Sequence, residues 1–312
     1  MQLDQARLGG RARPAGRSAR PRFFALPYLL VAPATISLVA IALYPILYAL
    51  YLSFTDANLI RMFNIEFIGF RNYVKAINDE TFQISFYQTI RWVIVVLVGQ
   101  LGVSLPIALF LNMNFRFRGF VRTAILLPYC IPSAVTAISW VLMFDANVGV
   151  VNDLLNKMGV IKGNVAWMSD SVSSFIIIAG AMIWAGFPFM AIVLLAGLQA
   201  IPEEMYEAGR VDGAGALQRF WHLTLPQLMP TILLVMLLRT IWLSQHVDLI
   251  YIMTGGGPGF ANYTVAVYAL IQLAGQRELG YASAIAVLLA ILLVSASVVY
   301  IRYIERSQEF LR

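Results

Sequence analysis

The sequence predicts an all-α membrane protein with six transmembrane helices, and three observations carry that expectation. Hydrophobic residues make up 60% of the chain and charged residues only 12%, against roughly 25% charge in soluble globular domains. Runs free of Asp, Glu, Lys and Arg cover residues 23–55, 92–115, 123–144, 171–202, 220–238 and 279–301. Each is near or above the roughly 20 residues that a helix needs to cross about 30 Å of hydrocarbon. Arginines, finally, gather on alternate sides of these runs, as the positive-inside rule requires of a chain that weaves through a bilayer.

In chain order, residues 1–22 form a basic tail, with Arg7, Arg11, Arg13, Arg17, Arg20 and Arg22 against a single carboxylate, Asp4. Such a run could bind nucleic acid, but it directly precedes a span, and cytoplasmic retention explains it more simply. Residues 23–312 are then the transmembrane domain. The apolar run after the tail is too long for a signal peptide and has no cysteine for lipid attachment, so an uncleaved anchor is expected. That run also exceeds one span, so its ends are expected in the interfaces, with interruptions at Pro27, Pro33 and Pro45.

Crossing by crossing, Arg116, Arg118 and Arg122, then Arg210 and Arg219, then Arg302, Arg306 and Arg312 fall on the cytoplasmic side with both termini. The opposite segments are more balanced: Asp56, Glu66, Arg71, Lys75, Asp79 and Glu80 in the first, Asp145, Asp153, Lys157, Lys162 and Asp170 in the second. The net charge of +6 is therefore largely a topology signal, not a statement about an acidic ligand. A seventh uncharged stretch, 249–276, is not a span. Gly255-Gly256-Gly257-Pro258-Gly259 breaks it and leaves 264–274 as the continuous apolar piece, too short to cross. Residues 249–278 are expected to be a non-cytoplasmic loop. The sole cysteine, Cys130 in Leu127-Pro128-Tyr129-Cys130-Ile131-Pro132, cannot form an intrachain disulfide and reads as a small packing residue inside the third span.

Residues 202–224 look soluble although they lie between two long apolar runs. Pro202 before Glu203 and Glu204 reads as a helix start, because proline tolerates the first helical position and carboxylates favour the positive end of the dipole. Gly209, Gly213 and Gly215 then weaken the helix and allow a bend, and a second helical piece, 216–221, leads into the next span. The expected shape is a helix, a glycine elbow and a helix on the membrane surface. By pattern alone this could merely link two spans.

The order of residues says more. Glu207-Ala208-Gly209, three residues, Gly213, nine residues, then Leu223-Thr224-Leu225-Pro226 resembles the EAA loop of ABC-importer permeases, with Gly209 where alanine is usual and Leu223 where isoleucine is usual. The resemblance implies a type I ABC importer permease architecture. It also implies that Glu203, Glu204, Glu207, Ala208, Gly209, Asp212, Gly213 and Ala214 couple the spans to a separate ATPase. Two further stretches point to the carbohydrate branch. Arg118-Gly119-Phe120-Val121-Arg122-Thr123-Ala124-Ile125-Leu126-Leu127-Pro128 resembles the start of the third span in sugar-type permeases. The second stretch, Val247-Asp248-Leu249-Ile250-Tyr251-Ile252-Met253-Thr254-Gly255-Gly256-Gly257-Pro258-Gly259 followed by Gly280-Tyr281-Ala282-Ser283-Ala284, is similar to the larger maltose-permease-type subunit. The resemblance covers residues 26–304. It implies a bacterial inner-membrane protein partnered by a second, non-identical permease chain, two copies of an ATPase that holds ATP and Mg, and an extracytoplasmic solute-binding protein. The cargo it implies is a sugar, a polyol or a sugar derivative, and this chain itself is expected to hold no cofactor or metal.

Polar residues within the spans are candidates for contact with that cargo. Arg239 lies about 20 Å beyond Pro226 at 1.5 Å per helical residue, still within the bilayer. None of the six uncharged runs offers it a carboxylate. Its partner is then Asp248 or Asp145 near the surface, another subunit, water in a cavity, or the substrate. Arg239, Trp242 and His246 share one helical face at spacings of three and seven. The ring would stack on a sugar and the cation would donate to hydroxyls. Alternatively, Arg239 snorkels outward or braces two helices while Trp242 and His246 sit in the interfacial belt. Trp184 and Phe187, beside Gly186 and Pro188, are weaker candidates, since core packing accounts for such aromatics more readily than sugar contact does.

Three functional classes compete. An ATP-driven importer subunit explains the loop, the glycine-rich turn and the topology together. A secondary, ion-coupled transporter, the alternative, would be expected to show intramembrane Asp or Glu and a repeated hydropathy pattern. A membrane enzyme would need a nucleophile or metal constellation, and His222, His246 and Cys130 supply none. The chain has no Gly-x-x-x-x-Gly-Lys-Ser/Thr phosphate loop, so ATP hydrolysis falls to a partner.

Overall fold

The computed structural model describes residues 25–61 and 64–309, so the basic tail 1–22 and Arg312 lie outside the described residues. The chain divides into two units, 1–48 and 49–312. In the first, α1 (Ala25–Leu38) passes through a π turn, Val39–Leu43, into α2 (Tyr44–Leu52), which carries the chain into the second unit. The expected interruptions do not occur, and Tyr28–Leu52 is a continuous apolar helix of 25 residues. Pro27 falls in the first turn, where no N–H is needed, and Pro33 is tolerated inside α1. Pro45 follows the π turn, in which the Tyr44 N–H reaches back to Val39 O. That wider turn gives the proline ring room against the carbonyl four residues before it.

The second unit opens with α3 (Arg71–Asn78) and α4 (Glu80–Asn112), and continues with α5 (Arg118–Ile125), α6 (Leu127–Cys130), α7 (Ser133–Met143), α8 (Val150–Lys157) and α9 (Ser171–Gln199). After these come α10 (Glu203–Val211), α11 (Ala216–Arg219), a second π turn (Phe220–Thr224), α12 (Leu225–Ser244), α13 (Asp248–Thr254), α14 (Val265–Ala274) and α15 (Leu279–Glu309). Among the described residues, five helices are long and apolar enough to cross a membrane, and six if the bent pair of Arg118–Cys130 with Ser133–Met143 is one span. Two of the long helices, α4 and α9, start where an aspartate caps them. Asp79 accepts from the Thr81 N–H at 2.9 Å and Asp170 from those of Val172 and Ser173 at 3.0 and 2.9 Å, satisfying donors that a helix start leaves free.

The third run, expected as one span through 123–144, is instead bent by 85°. Ile131 precedes Pro132, which drives it to extended backbone with φ −78° and ψ 128°, and Pro132 itself cannot donate to the turn before it. Cys130, expected to pack inside a span, is exposed at this bend. Residues 264–274 behave as expected, forming the short α14.

The core centres on α4, α9 and α12, where Trp92, Val96, Ile178, Met190, Leu194, Leu228 and Val235 are buried. Because bilayer lipid is as apolar as these side chains, polar bonds between helices supply much of the specificity. Gln100 and Ser104 of α4 donate to the Met182 and Phe187 carbonyls of α9, both at 2.9 Å, and Trp92 Nε1 donates to Leu243 O of α12 at 3.1 Å. At the end of α4 that holds Asp79, the carboxylate accepts from the hydroxyls of Tyr268 in α14 and Tyr281 in α15, the latter at 2.7 Å. Burial pushes the Asp79 pKa up, but the Tyr268, Tyr281 and backbone hydrogen bonds outweigh it and leave the carboxyl below its ordinary value.

Candidate functional site

Residues 202–224 form the expected elbow, shifted by one residue at its start. Pro202 is the cap, with ψ 136°, and α10 begins at Glu203. Glu203, Glu204 and Glu207 are exposed along α10. The helix ends in a paired closure: Gly213 N–H donates to Arg210 O at 3.0 Å and Ala214 N–H to Gly209 O at 2.9 Å. That pattern requires a residue past the cap in the left-handed region, and Gly213 supplies it at φ +78°. Gly209 and Gly215 make no such bend; Gly209 lies inside α10 and Gly215 caps α11. Arg219 closes the elbow by donating from Nη1 to Ala214 O at 2.6 Å, and Tyr206 Oη lies 3.2 Å from Thr224 Oγ1.

Ala208, Asp212 and Gly213 are exposed with the glutamates, and Gly209 and Ala214 are half-buried. Two apolar side chains stand out among them, Val211 at 87% and Leu217 at 71% exposed. Beyond the elbow the chain does not break before the span. The π turn places Leu225 N–H on Phe220 O and makes room for Pro226, so Ala216–Ser244 is one helix of 29 residues. This repeats the arrangement at Pro45, with the π turn ending two residues before the proline in both helices.

The far part of this helix reaches a cavity of about 300 Å³. The broken third span contributes Pro128, Tyr129, Ile131 and Ser133, α9 contributes Met182, Ala185 and Gly186, and α12 contributes Arg239, Trp242 and Leu243. His246 and Leu249 complete the wall. Irregular backbone at membrane depth is tolerated where it lines a cavity, and the bend at Ile131-Pro132 does so.

Arg239 does not snorkel outward, and among the described residues it meets no carboxylate. It is 6% exposed, and its Nε donates to Gln100 Oε1 at 2.8 Å. Ion pairs among the described residues join only Lys75 to Glu278 and Lys157 to Asp153. Gln100, itself fully buried, is fixed at its other end by the bond to Met182 O. The Gln100 and Arg239 side chains, from α4 and α12, can lie so close to α9 because residue 186 is glycine. A Cβ there would lie 2.0 Å from Gln100 Nε2 and 2.3 Å from Arg239 Nη2.

Trp242 lies next to the cation, its ring centroid 5.9 Å from Arg239 Cζ. His246 lines the same cavity but does not share the helical face, because α12 stops at Ser244 and Gln245 caps it. Its buried Nε2 has no partner among the described residues. Asp248 is exposed and its Oδ2 accepts from Ser133 Oγ at 3.4 Å, linking α13 to α7. Trp184 and Phe187 do not line the cavity: Trp184 sits 6.4 Å from the Trp140 ring, and Phe187 accepts from Ser104 through its carbonyl. The aromatic that does connect the walls is Phe189, 5.7 Å from Tyr129 and 5.1 Å from Trp242 between ring centroids.

Gln100, Tyr129 and Phe189 were not legible as site residues by sequence. Gln100 carried the clearest available signal, as the amide in the interior of the charge-free run 92–115, whose other amides, Asn112 and Asn114, lie at its end, and it stands four residues before Ser104 on the same helical face.

The described residues thus form a helical chain with membrane-length apolar spans, in which an exposed elbow is continuous with a cavity-lining span. Residues 100–308 match the family of binding-protein-dependent transport system inner membrane components, and the chain belongs to that family. It is 37% identical to the sulfoquinovosyl glycerol transport system permease protein SmoG of Agrobacterium fabrum, over 90% of each chain. It is 34% identical to the trehalose/maltose transport system permease protein MalF of Thermococcus litoralis, over 89% of this chain and 92% of that one. Its fold matches a chain of the bacterial ABC transporter that imports the acidic polysaccharide alginate, with a TM-score of 0.79 at 23% identity, over 90% of this chain and 95% of that chain. The architecture is therefore that of a type I ABC importer permease.

Proposed function

We propose that this chain is one of two non-identical membrane-spanning subunits of an ATP-driven importer for a sugar, an oligosaccharide or a related polyol or sugar derivative. An extracytoplasmic binding protein delivers the cargo, and two copies of a cytoplasmic ATPase hold ATP and Mg. Both termini and the 202–224 elbow face the cytoplasm. The observation that carries this reading is the continuity of Ala216–Ser244. One helix bears Leu217 on the exposed elbow and Arg239 and Trp242 on the cavity wall. A displacement of the elbow, driven by closure of the ATPase pair, is therefore transmitted directly to the cavity and opens it to alternate sides. Exposed Val211 and Leu217 fit an apolar cleft on the ATPase, and the acidic α10 supplies charges at its rim. Sugar as cargo is supported by the saccharides in the relatives' names and by a cavity that combines an indole ring with hydrogen-bonding groups.

The test uses the full chain expressed with its ATPase and permease partners. A cysteine replacing Leu217 in a Cys130→Ala background should cross-link to the ATPase and resist an impermeant thiol reagent added to intact cells. Labelling from outside would reverse the orientation, and absence of any cross-link would remove the coupling role. Deletion of the chain should abolish uptake of at least one radiolabelled sugar; unchanged uptake across a broad sugar panel would refute the cargo.

A further inference from the structure

The geometry points to a substrate that carries an anionic oxygen group, a carboxylate, sulfonate or phosphate, which seats on Arg239 inside the cavity. This rests on the reading of the chain as a sugar-importer subunit and names the class of sugar.

Arg239 is buried among spans with a neutral partner. Gln100 Oε1 takes its Nε–H, no carboxylate lies within 4.0 Å of it among the described residues, and no Asp or Glu lines the cavity. A guanidinium cannot shed its charge in a protein. A cation withdrawn from water without a counter-charge is unfavourable, and the complementary occupant is an anion.

The cation is also fixed in a way that leaves one edge free. Gln100 is held at both ends, by Met182 O and by Arg239 Nε, so it sets the plane of the guanidinium. The bond consumes the Nε side, and the paired Nη groups remain for a planar or tetrahedral oxyanion, which they can bind bidentately. Arg239 Nη2 lies against Gly186, which itself lines the cavity. Around this point stand the Trp242 ring for a sugar face and the unpartnered His246 Nε2 for a hydroxyl. A cavity of about 300 Å³ is at the small end for ligand sites, which suits one sugar unit at a time.

The experiment titrates the complete transporter, with its permease and ATPase partners in lipid nanodiscs, using two probes that differ only at C6. Methyl β-glucuronoside has a carboxylate where methyl β-glucoside has a hydroxymethyl group. Calorimetry should give at least about tenfold tighter binding of the uronoside, a ratio easily resolved. Arg239→Gln should erase that ratio. So should Gln100→Glu, which keeps the side-chain size and gives Arg239 a carboxylate of its own. Equal affinity of the unaltered transporter for both probes, or a preference that survives Gln100→Glu, overturns the assignment and leaves the importer reading standing. Binding of neither probe overturns it as well. Failure of the chain to assemble with an ATPase would instead overturn the importer reading, and this one with it.

Discussion

The elbow and the cavity are built by opposite means. In the elbow the bonds stay within residues 202–224: Gly213 to Arg210, Ala214 to Gly209 and Arg219 to Ala214 over a few residues, with Tyr206 to Thr224 the longest reach. Its functional groups are exposed, so the fold of the chain makes few demands on them. In the cavity the decisive contacts join residues far apart in sequence, Arg239 with Gln100 and Gln100 with Met182, and all are buried. The difference separates two kinds of constraint. A change in the elbow should spare the chain and harm its partnership, whereas a change at the cavity should harm the chain itself.

The largest effect is expected at Gly213. Its φ of +78° excludes β-branched residues, yet a Cβ there would meet nothing within 4 Å in this chain. Gly213→Val should abolish uptake by disrupting the closure of α10, at a local cost of about 1–2 kcal/mol. Gly213→Asn, which tolerates the left-handed region, should preserve the elbow. If uptake is lost in Asn as well as Val while both chains insert normally, the glycine serves a partner's cleft. Normal uptake by the Val chain would break the comparison at its strongest point.

Legibility follows the same division. The elbow could be read because its signals, Pro202, the acidic first turn and Gly213, lie within one short stretch and act through it. The long apolar helices, five among the described residues and six with the bent pair counted as one span, were legible from uncharged runs, since hydrocarbon thickness imposes run length directly. Tertiary facts were harder. The 85° bend at Ile131-Pro132 had a local cause in sequence, but hydropathy averages over it. Pro45, in contrast, suggested a break that a π turn absorbs. Gln100 as the partner of Arg239 depends on which faces of α4 and α12 meet, and nothing local to either residue specifies that.

On the cavity side, Gln100→Leu should strip the buried Arg239 Nε of its acceptor and lower stability by about 2–3 kcal/mol. Gly186→Ala should cost about 1–3 kcal/mol by overpacking against Gln100 and Arg239. Thermal unfolding of the detergent-solubilised chain measures both. A Gly186→Ala chain as stable as the original would mean that the Gln100 and Arg239 side chains yield, and that the cavity is less rigidly built than the elbow.

A smaller effect is expected at Asp79, where buried and long-range bonding meets partial exposure. Asp79→Asn removes a charge-assisted acceptor for Tyr268 and Tyr281 and should cost about 1–2 kcal/mol at neutral pH. The folded carboxyl titrates below its unfolded value of 3.8. Its contribution is therefore complete above that value and disappears as pH falls through the folded pKa. Melting temperature should fall in that acid window for the original chain and fall less for Asp79→Asn. Identical acid profiles would remove Asp79 as the cause.

The smallest effect separates sequence range from burial. Lys75 and Glu278 are as distant in sequence as any cavity pair, yet their side chains are 48% and 40% exposed. If long range alone made contacts strong, Glu278→Gln should rival Gln100→Leu. Exposed pairs are screened by water and salt and pay side-chain entropy, so Glu278→Gln should cost at most about 1 kcal/mol, and less as salt is added. Lys75 also lies 3.9 Å from the Tyr281 ring centroid, an attraction of about 0.5–1 kcal/mol at an exposed site. Lys75→Met should therefore cost somewhat more than Glu278→Gln, and the excess should survive when the ion pair has been screened. A loss from Glu278→Gln equal to that from Gln100→Leu would show that range outweighs burial, and would undo the division between the two regions.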